Sequence, residues 1–256
     1  MALSSSRARN LVGGTTSSRA RGTPSRKAAG EVVPTTESPA LAAEIVARLR
    51  ARRDERNIAG QARYGIRSAT EQCGIPAPVL RALARQHRRD HSLALALWPC
   101  GVHDARVLAT LIADPRQLTR RQAEQWVRDC DNWAQTDSLA FLVDRTGFAE
   151  AVAHAWSRRR SEFVKRTGFA VMAGMAVHRK ELPDEVFLRM LPVITREAAD
   201  DRNFVKKAVN WALRQIGKRN PRLCRAAMAE ARRIFHLDSR AARWIAADAL
   251  RELARR

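Results

Sequence analysis

From residue 38 to the C-terminus, apolar residues recur at helical spacing in about a dozen short segments, each closed by a small cluster of Gly, Pro, Asp or Ser. A short helix in such a pattern cannot bury its own apolar stripe, so the segments must pack on one another. The connections run to about two to six residues, which makes sequential helices antiparallel neighbours. Strands are not expected, because β-branched runs are few and the chain holds a single tyrosine, Tyr64.

Helices are predicted over residues 40–53, 67–74, 78–88, 91–98, 102–113, 119–129, 132–144, 148–157, 162–177, 184–198, 202–217, 221–235 and 239–253. So many short helices favour an all-α chain built as a right-handed α-solenoid over a compact bundle. The helix pairs recur at irregular intervals, so the expected array is a degenerate HEAT-like one. One helix of each pair would then line a concave face made cationic by its basic side chains. The N-terminal residues differ in kind. Nineteen of the first forty are Ser, Thr, Gly or Pro and six are Arg or Lys. Such a segment buries too little apolar surface to offset its chain entropy, so residues 1–38 are expected as a disordered basic tail and residues 39–256 as the HEAT-like domain.

Charge narrows the partner. Lys and Arg number 47 against 26 Asp and Glu, a formal net charge of +21. A balance of this size attracts polyanions, and nucleic acid is the commonest partner for it, with phosphate contacts supplying most of the affinity; membrane-surface or heparin-like partners have no dedicated motif here. No apolar stretch approaches the roughly 20 residues of a membrane span, so the protein is not expected to be integral to a membrane; a monomer, cytoplasmic and nucleoid-associated, is the expectation. Cys73, Cys100, Cys130 and Cys224 form no CxxC pair and have no His at zinc-ligand spacing, so free thiols in a reducing compartment and no structural metal are expected. His87 and His91 are the one i,i+4 histidine pair and read as surface residues. The sequence has no P-loop, GxGxxG, GxSxG or HExxH, which removes the common nucleotide-binding, serine-hydrolase and metalloprotease readings and implies no cofactor.

Three constellations carry chemistry. In the run RNFVKKAVNWALRQIGKRN from Arg202 to Asn220, Phe204, Val205, Ala208, Val209, Ala212 and Ile216 form the predicted buried stripe. Lys207, Trp211, Arg214 and Lys218 fall on another face, so the indole stands among three cations. That suits a nucleic-acid surface, the alternative being a Trp packed on an adjacent repeat. In DNWAQTDS, Trp133 and Asp137 are four apart and share a helical face. A carboxylate beside an aromatic can stabilise a cationic intermediate or position water, or the pair can be a core anchor with a solvated neighbour. In EFVKRTGFAVMAGMAV, apolar residues lie all round the helix after Arg166, so that arginine must reach solvent, a carboxylate or a phosphate.

Taken together, YGI (Tyr64–Ile66), LW (Leu97–Trp98), HDARVLA (His103–Ala109), NWAQTD (Asn132–Asp137), EFVKRTGFAVMA, RNFVKKAVNWALRQIGKRN and ARWIAADALREL (Ala242–Leu253) resemble the AlkD-like DNA alkylation-repair family over roughly residues 57–253. The resemblance implies a HEAT-like α-solenoid acting as a DNA glycosylase on cationic N3- or N7-alkylated purines in duplex DNA. By the same resemblance Asp137 is the catalytic carboxylate, Trp133 and Trp211 contact the lesion nucleotide, and Arg166 holds a flanking phosphate. Lys165, Lys207, Arg214, Lys218 and Arg219 are the implied duplex anchors. The chain departs from the common pattern at Ala134, where many relatives carry Asp, and has Asn132 before the tryptophan. Some relatives bind unusual DNA structures without excising bases, so the alternative is a non-catalytic HEAT-like module for branched or damaged DNA.

Overall fold

A computed structural model describes residues 37–255. The predicted tail, residues 1–38, lies almost wholly outside the described residues. Among the described residues, thirteen α-helices follow one another: α1 (Ser38–Ala51), α2 (Glu55–Arg63), α3 (Ala77–Gln86), α4 (His91–Leu97), α5 (His103–Ile112), α6 (Arg120–Asp129), α7 (Trp133–Val143), α8 (Ala149–Trp156), α9 (Glu162–His178), α10 (Asp184–Glu197), α11 (Asn203–Gly217), α12 (Pro221–Phe235) and α13 (Arg240–Leu253). A single 3₁₀ turn, Trp98–Cys100, follows α4. Among the described residues there is no strand, only one isolated bridge between Glu71 and Val102. None of the described helices is long and apolar enough to cross a membrane.

The packing is layered. Helices α3, α5, α7, α9, α11 and α13 each lie against the next of the series, while α8, α10 and α12 form a second row behind them. Helix α9 is the centre. It packs on α7, α8 and α11, and every residue from Arg166 to Ala176 is buried. Phe169, Met172 and Met175 are each sealed from solvent, at roughly 1.5–3 kcal/mol of transfer free energy apiece. Gly168 allows the close approach of α8, since a β-carbon there would strike the backbone of Ser157 and Ala153.

Two departures from the predicted helices have clear causes. Residues 67–74 are not helical, because their backbone is claimed by side chains from elsewhere. Asp131 accepts the Ala69 N–H at 2.6 Å and the Ser68 hydroxyl at 2.9 Å. The buried carboxylate of Asp104 accepts the N–H groups of Cys73 and Ile75 at 2.7 and 2.8 Å. A backbone satisfied in this way has no need of i→i−4 bonds. Conversely, α2 forms where no helix is predicted, capped by Asp54, whose Oδ1 accepts from the N–H groups of Arg56 and Asn57. It buries none of its residues and contains Gly60, so its apolar periodicity is faint. His91, expected at the surface, is buried at the start of α4, and desolvation holds its imidazole below the usual histidine range.

Candidate functional site

The start of α7 is fixed before any functional group is placed. Asn132 caps it, its Oδ1 accepting from the N–H groups of Ala134 at 3.1 Å and Gln135 at 3.2 Å. The Asn132 amide then donates to Asp131 at 2.9 Å and to Nδ1 of His103 at 3.2 Å, and Gln135 donates to the same nitrogen at 3.1 Å. Two amide donors on one nitrogen make Nδ1 an acceptor, and burial of His103 lowers its pKa in keeping with a neutral ring. The loop before α3, the start of α5 and the start of α7 are thereby tied into one unit. Asn132, a departure from the family pattern, has a definite structural task here.

This cap sets Trp133 on the first turn of α7, where its indole N–H donates to the Tyr64 carbonyl at 2.9 Å. Asp137 follows one turn later on the same face. Arg166 crosses from α9 to meet it, Nη2 to Oδ2 at 2.8 Å and Nε to Oδ1 at 3.1 Å. Nε also reaches the Thr136 hydroxyl at 3.2 Å, and Nη1 donates to the Phe204 carbonyl on α11 at 2.8 Å. Every guanidinium nitrogen thus has an internal partner, and the Arg166 side chain is 8% exposed against 20% for Asp137. Burial pushes the Asp137 carboxyl above the ordinary carboxylate range, while the Arg166 charge, its hydrogen bonds and the Thr136 hydroxyl act in the opposite sense. Where a phosphate was expected, the Arg166 fork is filled by Asp137 and a backbone carbonyl.

Tyr64, Trp133, Asp137, Arg166, Phe204, Lys207 and Trp211 line one cavity of about 370 Å³. The four residues singled out as catalytic in the sequence, Trp133, Asp137, Arg166 and Trp211, are brought together on three successive helices of one layer. Behind Trp133 and Asp137 a second, largely apolar cavity of about 430 Å³ is bounded by Ile75, Leu80, Val107, Ala134 and Phe141. Ala134 faces that apolar space rather than a cap, because Asn132 already satisfies the helix N-terminus.

Two site residues were not legible as such. Phe204 was assigned to the buried stripe of α11, but it is only half-buried, its ring 5.8 Å from Phe163 and pressed against Gly65. Gly65 has φ of +81°, and a β-carbon there would collide with that ring. Tyr64, which the resemblance includes in the YGI segment without giving it a role, is 77% exposed and lines the cavity. Phe141 adds an edge-on contact to Trp211 at 5.8 Å.

The expected cationic row is differently arranged. Lys165 is nearly buried between Glu197 and Asp200, at 2.7 and 3.0 Å. Arg214 pairs with Glu252 and Asp248, and Lys218 with Glu252. Arg219 donates to the carbonyls of Ala176 and Leu182 and stacks over Phe187 at 4.0 Å. Lys165, Arg214 and Lys218 are thus matched by carboxylates and Arg219 is held by backbone carbonyls, whereas Lys207 is exposed at the cavity.

Comparison with known proteins identifies the family and the fold. A family model described as DNA alkylation repair enzyme matches residues 45–253. A search of curated proteins found no match. Among solved structures, one described as a new family of proteins related to the HEAT-like repeat DNA glycosylases with affinity for branched DNA structures superposes with a TM-score of 0.70. It is 18% identical, and the match covers 83% of this chain and 94% of that one, a likeness of fold. With the family match spanning most of its length, the chain belongs to the DNA alkylation repair enzyme family, AlkD-like proteins of HEAT-like repeat architecture.

Proposed function

We propose that this chain is a DNA glycosylase that hydrolyses the N-glycosidic bond of N3- or N7-alkylated purines in duplex DNA. The observation that carries the reading is Asp137, a carboxylate in the wall of a cavity that the indoles of Trp133 and Trp211 also line. An alkylated purine is already cationic and leaves without a general acid. What the protein must supply is stabilisation of the oxocarbenium-like sugar and direction of a water toward it, as carboxylates do in glycoside cleavage. Asp137 takes both tasks, and Arg166 is its positioning residue, fixing the carboxylate plane by a two-point grip. Trp133 and Trp211 present flat apolar walls to the sugar and backbone of the lesion nucleotide, and Lys207 meets a neighbouring phosphate.

The layer running from α3 to α13 is then the concave, DNA-facing wall of a right-handed solenoid comprising residues 39–256, with the N-terminal residues as a basic tail. The protein is proposed to act as a monomer. The competing reading, binding of branched DNA without base release, draws on the description of the structural neighbour. Release of free 7-methylguanine from an alkylated duplex separates them: an excising enzyme liberates the base, and a pure binding module only retains the DNA.

A further inference from the structure

The cations of α11 divide into two groups. Arg214 and Lys218 in its last turns, like Arg202 just before it, are paired with carboxylates, while Lys206 and Lys207 pair with none among the described residues. Lys206 instead lies over the ring of Trp244 on α13, 5.2 Å from its centroid. Trp244 is 42% exposed, the largest side chain on the described surface left so open. One turn before it, Arg240 is exposed and without a carboxylate partner, and beside it Arg243 meets only the freely exposed Asp238 at 3.6 Å. Neither α11 nor α13 has an acidic residue in its first turn. Arg240, in the first turn of α13, opposes that helix's dipole, whereas Lys206 lies beyond the first turn of α11 and gains from its contact with Trp244.

An exposed indole beside Lys206 and Arg240, neither with a carboxylate partner among the described residues, offers a nucleic-acid backbone a flat face for a sugar or base and point charges for phosphates. The patch shares helix α11 with the Asp137 cavity: Lys207 lines that cavity, and Lys206, the preceding residue, projects about 100° round the helix toward α13. We propose that Trp244, Lys206 and Arg240 form a second contact surface for the backbone of duplex DNA, gripping the strand that flanks the Asp137 site. This rests on the reading of the chain as a duplex-binding protein.

The test is fluorescence anisotropy of the full-length protein on an undamaged 25-base-pair duplex, from about 50 to 200 mM salt. Lys206→Ala and Arg240→Ala should each weaken binding and lower the log–log salt slope by about 1, as loss of one phosphate contact does. Trp244→Ala should weaken binding about five- to tenfold or more with the slope retained, as loss of a stacking contact does. Arg232→Ala, an exposed cation on α12 in the other row, controls for net charge and should change neither. Because Trp244 and Arg240 are exposed, circular dichroism should show the variants folded. Wild-type affinity and slope in all three patch variants, or losses no larger than that of Arg232→Ala, overturn the inference while leaving the glycosylase reading intact. Failure of the wild-type protein to bind duplex at all overturns both.

Discussion

Arg166 on α9 holds both carboxylate oxygens of Asp137 on α7, at 2.8 and 3.1 Å, and at the same time anchors itself to the Phe204 carbonyl of α11 at 2.8 Å. One side chain therefore joins three successive helices at the point where the candidate chemistry lies. Arg166→Ala should leave a largely buried carboxylate and a carbonyl without partners. Breaking a buried pair costs about 3–5 kcal/mol, and partial exposure of Asp137 reduces that to about 2–4 kcal/mol. Urea denaturation measures it. Arg166→Lys keeps the charge but loses the fork, so base release should still fall by roughly 10-fold or more if orientation of the carboxylate matters.

The protonation of Asp137 gives a second expectation. Burial raises its pKa, so as pH falls the carboxylate takes up its proton earlier than an ordinary aspartate with a value near 3.8. Base release requires the ionised form, so its acid limb should lie above that value. Arg166→Gln removes the main opposing influence and should move the limb to still higher pH. A pH–rate profile with no acid limb above 3.8, or one unmoved by the substitution, contradicts this assignment.

Asn132 links stability to function. Its replacement by Ala removes the cap of α7 and both amide hydrogen bonds around it, at about 1–2 kcal/mol. Because Trp133 is the next residue, the same change should also lower base release, whereas Thr119→Ala at the capping box of α6 should cost similar stability and leave release intact. Thermal melts and release assays on both variants make the comparison.

Asp200 supplies a pH-dependent term remote from the cavity. Hydrogen bonds from Arg202 and Lys165 outweigh its partial burial and depress its carboxyl from 3.8 to about 2. A folded value below the unfolded one means stability that is present above about pH 4 and is lost as pH falls toward 2. The shift corresponds to about 2 kcal/mol. Asp200→Asn should remove it at neutral pH, and the difference from wild type should shrink across that acid window in denaturant titrations.

Much of this was legible in the chain before its folding. Helices such as α10, α12 and α13 fall within a residue or two of where apolar spacing and Asp, Asn, Pro and Ser starts put them, because those signals are local. Trp133, Asp137 and Trp211 could be picked out by pattern and resemblance, since helical faces follow from spacing alone. The loop at residues 67–74 was misread because its backbone partners, Asp104 and Asp131, lie 29 to 63 residues away. The same distance hid the partners of Lys165, Arg214 and Lys218: a cation on a basic helix looks free until the opposing helix brings its carboxylates. Phe204 sat at the edge of an apolar stripe, where spacing cannot tell a core residue from a cavity wall.

The central claim is tested most directly by release of free 7-methylguanine from a methylated duplex, measured for wild type and Asp137→Asn side by side. The wild-type protein should release the base, and the variant should retain duplex binding while losing release by at least about 100-fold, the order expected when the group stabilising a charged transition state is neutralised. No release by the wild-type protein, or release by the Asn variant at the wild-type rate, would contradict the account.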